Sequence, residues 1–219
     1  MPKSERPADV LRDANAITEG HFVFKSGMHS GVYVNKDMLY TDASTIALLC
    51  MDLGQPFVDR KHQGLMPQVV VGPAIGGVIL AHCVAKHLAF DSTSDESVRS
   101  LFADKDGEGF IVRRGYDKFV KGKRVLIVED IMTTGGSVRG TVDAVRRVGG
   151  AVVGVAAICN RGRVTAEMLG VPRLVSLVEM NFETWAESEC LLCREGVPIN
   201  VELGHGAAFV AKLGQPTKR

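Results

Sequence analysis

Short, unbroken apolar runs alternate with stretches that repeat every three to four residues through the middle of the chain. Val69, Val70 and Val71 form one run, closed by Gly72-Pro73. From Gly76 to Leu88 the apolar positions Val78, Ile79, Ala81, Val84, Ala85 and Leu88 follow helical spacing, so strand then helix is predicted. Val125 to Val128 is a second run of the kind that forms a strand buried on both faces. After it come two acids and a Thr/Gly/Ser turn, then Val138, Val142 and Val145 at i, i+4 and i+7. Gly149-Gly150 stops that helix, and Ala151 to Ile158 supplies another Val-rich strand. Strand, helix and strand within about 35 residues is the length of a parallel βαβ unit. The expected fold class is therefore α/β, a central parallel sheet flanked by helices.

Upstream, Asp42 is placed to cap a helix with Ile46, Leu49, Cys50, Leu53 and Phe57 on one face, and Ala8 or Asp9 begins a shorter helix. The polar stretches Asp91 to Arg99 and Ala103 to Gly109 read as surface loops, the second mobile because it combines glycines with charges. With no internal repeat or long linker, residues 1–219 are expected to form one domain. Its core spans about 41–165, and a small cap comes from about 1–40 and 166–219, where the pattern is less regular.

Composition narrows the class without naming an activity. At 46% hydrophobic and 23% charged residues the chain resembles an average globular protein, which excludes disordered and disulfide-dense types. A formal charge of +1 gives no general attraction to nucleic acid or to a membrane surface, so any anion site must be local. Five cysteines, an odd number scattered through apolar segments, suit free thiols in a reducing compartment, and the N-terminal residues carry no apolar signal segment. A cytoplasmic protein is expected.

Residues Val125 to Ser137, VLIVEDIMTTGGS, carry the candidate chemistry. A buried strand delivers Glu129 and Asp130 to the carboxyl end of a parallel sheet, where open α/β proteins bind ligands. Thr133, Thr134, Gly135, Gly136 and Ser137 then lead into a helix N-terminus, whose N–H groups and dipole favour a phosphate. A ribose phosphate offers hydroxyls to the acids and a monophosphate to the turn. Neither GxGxxG nor GxxxxGK[ST] is present, which argues against the common dinucleotide and nucleotide loops.

All thirteen positions of this segment fit the motif of the phosphoribosyltransferase family, and several others resemble its orotate phosphoribosyltransferase branch. Gly20 to Asp37, with Lys25, Ser26, Gly27, Ser30 and Tyr33, is similar to that branch's N-terminal signature. Val71 to Ala81, which includes Ala74 and Gly76, resembles its pyrophosphate loop, and Ile158 to Arg163 resembles the strand end whose arginine, here Arg161, holds orotate. The tail SECLLCREGVPI is similar to a CPLC-x-EG-VP ending of one bacterial branch.

The resemblance implies a type I phosphoribosyltransferase fold and transfer of phosphoribosyl from phosphoribosyl pyrophosphate to orotate. It further implies Mg²⁺ carried by the substrate with Glu129 and Asp130 nearby but no direct protein ligand, Lys25 in contact with substrate, and a homodimer that exchanges a catalytic loop between active sites. Lys105 matches the catalytic lysine of that loop, but the usual histidine is missing, and Arg113 and Arg114 just beyond it are candidates for further positive charge. Gly76 stands where one branch carries a lysine, and Asn160 replaces an Asp often found before the orotate-binding arginine.

Two alternatives stay open at this level. One is a salvage enzyme for a purine or other base; the other is a phosphoribosyl-pyrophosphate-sensing regulator that binds nucleic acid, for which no basic or helix-turn-helix segment is seen. Cys190 and Cys193 form a lone CxxC, and a zinc site would need further ligands, from His205 or a second subunit. His29 lies inside the orotate-type signature and is a candidate for the site lining.

Overall fold

Residues 7–13, 15–58, 66–91, 97–180 and 182–213 are described in the computed structural model of the chain. In chain order the helices are α1 (Pro7–Asp13), α2 (Ala43–Gly54), α3 (Gly76–Asp91), α4 (Asp117–Val120), α5 (Gly136–Arg147), α6 (Ala166–Leu169), α7 (Leu191–Arg194) and α8 (Gly206–Leu213). The strands are β1 (Ile17–Val23), β2 (His29–Val34), β3 (Val69–Pro73), β4 (Arg99–Asp106), β5 (Gly109–Ile111), β6 (Arg124–Met132), β7 (Ala151–Asn160), β8 (Leu174–Glu179) and β9 (Thr184–Trp185). The chain divides into two compact units, Ala43–Met180 and Met1–Asp42 with Asn181–Arg219.

In the first unit the sheet order is β5-β4-β3-β6-β7-β8, parallel throughout except for the β4–β5 pair. This is the expected α/β sheet. Neighbouring strand residues project to opposite faces, so each central strand must find two apolar layers. Val69, Val71, Val125, Ile127, Val155 and Ala157 pack on one face against Val138, Val142 and Val145 of α5. Val70, Leu126, Ala156 and Ile158 leave on the other face, served by α2 and α3, where Leu49, Leu53, Leu80, Val84 and Leu88 are buried. The α2 face is as expected up to Leu53. Pro56 then removes a helical N–H, so Phe57 is buried from a 3₁₀ turn, Gln55–Phe57, instead of from the helix.

Two expectations are revised here. Residues 166–180 do not belong with the chain ends: α6 and β8 complete the core unit, β8 pairing in parallel with β7 from Val155↔Leu174 to Asn160↔Glu179. As an edge strand β8 is mostly half-buried, which is why its apolar pattern is weak. Ala103 to Gly109 is not an irregular loop but a β4–β5 hairpin, paired Asp104↔Ile111, Lys105↔Phe110 and Asp106↔Gly109 around Gly107-Glu108. Buried Phe110 anchors it, lying so close to α5 that a Cβ at Gly140 would be 2.8 Å from its ring. Most of the polar stretch from Asp91 to Arg99 lies outside the described residues.

The second unit is built from both ends of the chain. β1 and β2 form a hairpin, and β9 adds to β2 to complete a three-stranded antiparallel sheet. A register shift between Glu19 and Phe22 breaks the side-chain alternation, so that His21, Phe22 and Val23 are all buried. Among the described residues no helix is long and apolar enough to cross a membrane.

The β3–α3 turn depends on two glycines in contact. A Cβ on Gly72 would lie 2.0 Å from the Gly77 carbonyl oxygen, and one on Gly77 2.7 Å from the Pro73 ring. Gly72→Ala is expected to lower unfolding stability by about 1–3 kcal/mol, because backbone cannot retreat as a side chain would; the urea midpoint measures it.

Candidate functional site

The carboxyl ends of β3 and β6 lie side by side, and the chain leaves them in opposite directions, through α3 to β4 and through α5 to β7. Such a reversal opens a crevice beyond the strand ends, where α/β sheets bind ligands. Glu129 and Asp130 stand at this end of β6, and both are buried. Glu129 Oε1 accepts from the Asp130 N–H at 3.1 Å, and Asp130 Oδ1 accepts from the Ile131 N–H at 2.6 Å. These bonds hold each carboxylate close to its own backbone.

Past Met132 the chain turns through exposed Thr133 and Thr134 to Gly135, which adopts φ +74° at the N-cap of α5. That left-handed conformation favours glycine, and a Cβ there would also press within 3.0 Å of Val164. Thr134 Oγ1 accepts from the Gly136 N–H at 3.4 Å. The first turn of α5 therefore presents N–H groups that lack intrahelical acceptors, together with the exposed hydroxyls of Thr133, Thr134 and Ser137. Backbone donors and the positive end of a twelve-residue helix make this an anion cradle.

The β7 end is locked to this turn. The Arg161 N–H donates to the Met132 carbonyl at 2.8 Å, and a Cβ on Gly162 would fall 1.3 Å from the Thr133 carbonyl oxygen. Only glycine permits that approach. Asn160 closes the loop from the other side: its Nδ2 donates to the Val164 carbonyl at 2.9 Å while its Oδ1 accepts from the Val164 N–H at 3.1 Å. Nδ2 also lies 3.3 Å from Glu179 Oε1. A carboxylate can only accept, so the amide is the group this loop needs, which accounts for Asn in place of Asp. The neighbouring Cys159 thiol is pushed up to about 11 by burial, a rise opposed by the Arg161 charge and reinforced by Glu179.

On the other side of β6, Ala74 and Ile75 form the turn after β3, their peptide is cis, and Gly76 opens α3. The Ala74 N–H donates to the Ala103 carbonyl of β4 at 2.9 Å, tying this turn to the strand that carries Lys105 two residues later. Lys105 is exposed, and among the described residues its ammonium has no ion-pair partner. Arg113 and Arg114 differ. Arg113 reaches Asp106 at 3.1 Å and Asp104 at 3.5 Å, and Arg114 grips Asp104 through Nε and Nη2 at 3.1 and 3.4 Å. The hairpin's own acids thus engage both arginines.

One end of one sheet thus gathers Ala74, Gly76, Lys105, Glu129, Asp130, Thr133 to Ser137 and Arg161. Lys25 belongs to the other unit, exposed in the Phe24–Met28 turn of the β1–β2 hairpin. His29 is fully buried and not an exposed lining residue. Sequence reasoning missed the clamps, Asn160 on Val164 and Gly162 on Thr133, and the roles of Asp104 and Asp106. Gly162 between two arginines was the one local hint.

The model of the phosphoribosyl transferase domain matches residues 46–192, and the chain belongs to the phosphoribosyltransferase family. It is 36% identical over 197 residues to the orotate phosphoribosyltransferase of Caldanaerobacter subterraneus subsp. tengcongensis, covering 90% of this chain and 95% of that one. It is 38% identical over 192 residues to the orotate phosphoribosyltransferase of Thermus thermophilus, covering 87% and 96%. Among solved structures, the orotate phosphoribosyltransferase of Mycobacterium tuberculosis H37Rv superposes with a TM-score of 0.61 at 25% identity, covering 80% of this chain and 97% of that one.

Asn160→Asp removes the donor to Val164 and places a carboxylate against two acceptors. A loss of about 1–3 kcal/mol in unfolding stability is expected from the unsatisfied buried groups, measured by chemical denaturation at neutral pH.

Proposed function

We propose that this chain transfers the 5-phosphoribosyl group from phosphoribosyl pyrophosphate to orotate, releasing pyrophosphate and forming orotidine 5′-monophosphate, a step of de novo pyrimidine synthesis. The observation that carries the reading is the β6–turn–α5 segment. Two buried acids and an anion cradle lie side by side there, at the switch point of the sheet. That pairing suits a sugar bearing a phosphate.

In this reading the Thr133–Ser137 turn and the N-terminus of α5 hold the 5′-phosphate, and Glu129 and Asp130 stand by the ribose hydroxyls. Displacement of pyrophosphate from the anomeric carbon leaves the sugar with oxocarbenium-like positive charge, so the protein's work is to place charge. Carboxylates fixed beside the ring stabilise that charge with little reorganisation. The turn at Ala74 and the start of α3 at Gly76 offer backbone to the pyrophosphate. Lys105 is the cation we assign to the leaving group, because Arg113 and Arg114 are engaged by Asp104 and Asp106. Arg161, on a loop clamped at both ends, receives the orotate carboxylate, which a planar guanidinium matches. Lys25 is assigned a substrate contact.

The oxygen donors of Glu129 and Asp130 suit Mg²⁺, and among the described residues they do not form a set of three or more ligand side chains. Magnesium, when bound with the substrate, supplies positive charge to the departing pyrophosphate. We further propose a homodimer that exchanges the β4–β5 hairpin between active sites, supported by the exposed apolar side chains Leu48, Met51, Ile75 and Ile79. Five unbridged cysteines suit the reducing cytoplasm as the place of action.

Loss of orotate absorbance that requires both phosphoribosyl pyrophosphate and Mg²⁺ is the expected result. Turnover of adenine, hypoxanthine or xanthine without orotate would overturn the choice of base. Asp130→Asn should keep the fold and cut kcat by about 10² or more, the size typical of a preorganised charge contact. Lys105→Ala should also lower kcat by about 10², with smaller losses in Arg113→Ala and Arg114→Ala. An unchanged rate in Lys105→Ala would move the role to the arginines.

A further inference from the structure

Away from the sheet-end site, the unit formed by the chain ends brings together His21 of β1, His29 at the start of β2, and Cys190 and Cys193 around α7. Their ligand atoms all lie within 4.8 Å of one another, and all but Cys193 are buried. The bulge between Glu19 and Phe22 turns His21 inward toward His29, so His21 Nε2 and His29 Nδ1 stand 2.8 Å apart. Cys190 Sγ is 3.6 Å from His21 Nε2, while Cys193 Sγ is 3.7 Å from His21 Nε2 and 3.4 Å from His29 Nδ1.

Hydrogen bonding alone does not satisfy this group. His21 Nδ1 lies 2.8 Å from the Val197 carbonyl, which can only accept, so Nδ1 carries a proton and the neutral ring turns a single Nε2 lone pair toward the cluster. Three groups crowd that one lone pair: His29 Nδ1 and both thiols. If His29 donates to it, each thiol loses that acceptor. Buried polar groups left in this way are costly.

We infer that His21, His29, Cys190 and Cys193 form a tetrahedral Cys₂His₂ site for a structural zinc ion. A tetrahedron with Zn–N near 2.0–2.1 Å and Zn–S near 2.3 Å has edges of roughly 3.3–3.8 Å. Three of the four N···S separations, 3.4, 3.6 and 3.7 Å, fall within that span, and the two nitrogens need separate by only about half an ångström. On binding, each thiol releases its proton to solvent and each imidazole stays neutral, so all four groups direct lone pairs at one cation. The bond from His21 Nδ1–H to Val197 is the outer contact that fixes the tautomer and orientation of a ligating histidine. Two thiolates and two imidazoles in tetrahedral array select zinc over hard, oxygen-seeking cations.

The site joins two segments that also meet in the β2–β9 pairing. His21 and Cys190 are 169 residues apart, so the ion ties the first hairpin of the chain to its last third. A small unit assembled from two distant segments has a limited apolar core, and a metal tie offsets that deficit. The ligands also flank the turn that bears Lys25. The two cysteines thus find their partners in β1 and β2. His205, considered as a ligand from sequence, is not in the cluster.

Protein purified under reducing conditions and exchanged into metal-free buffer should contain about one zinc per chain by mass spectrometry of the elements. Chelation should lower the melting temperature, and zinc should restore it. Cobalt added to the reduced apoprotein should give the intense visible bands of tetrahedral coordination with thiolate-to-cobalt charge transfer, both abolished by zinc. Cys193→Ser, at the least buried ligand, should drop the zinc content to background, whereas Cys83→Ser, outside the cluster, should keep it. If Cys193→Ser does not fold, the wild-type zinc content and cobalt spectrum decide. Wild-type protein without stoichiometric zinc and without a tetrahedral cobalt spectrum overturns the inference, as does a folded Cys193→Ser that keeps full zinc content.

Discussion

Val125 to Val128 are buried without remainder on both faces of the sheet, and only a central strand can meet that condition. β6 therefore lies between β3 and β7, and the crossovers from β3 through α3 and from β6 through α5 run in opposite senses. From this placement comes the crevice at the strand ends, the position of the two acids at its floor, and the exit of the chain into the N-terminus of α5. Thr133, Gly135 and Ser137 are then where strand geometry delivers them. Gly162 can approach the Thr133 carbonyl because β7 is the paired neighbour.

The electrostatics of the core unit are arranged by local pairing and not by net charge. A chain at +1 overall concentrates donors at one helix terminus and leaves Lys105 without an ion-pair partner among the described residues, while Asp104 and Asp106 hold the two nearby arginines. Those pairs are exposed, so their value lies in geometry more than in stability. In the proposed reading, that leaves one hairpin cation, Lys105, for an anionic substrate. Asn160 is the complementary case, a buried amide whose donor and acceptor are both used, which fixes the backbone around Arg161.

In the unit built from the chain ends, a bulged hairpin, a short third strand and a CxxC turn replace a large apolar core. The inward turn of His21 has no explanation in apolar packing alone, because it buries a polar ring among three others that compete for its lone pair. A cation shared by the four side chains resolves that competition. It also gives the CxxC a purpose within this unit.

Features set by neighbours along the chain were legible in the sequence. Period and run length marked β3, α3, β6, α5 and β7, and the turn chemistry of residues 133–137 marked the anion cradle, because each depends on interactions within a few residues. Phe57 departed from its helical face through Pro56, itself a local effect, and edge strand β8 was obscured by partial burial. The rest depended on residues distant in sequence. No spacing rule couples Arg114 to Asp104 across a hairpin that reads as a loop, or Gly162 to Thr133. Nor does the sequence join His21 to Cys190 across 169 residues. Local backbone preference chose the elements; tertiary packing chose which side chains share a site, since that choice rests on burial and hydrogen bonding between segments that meet only when the chain has folded.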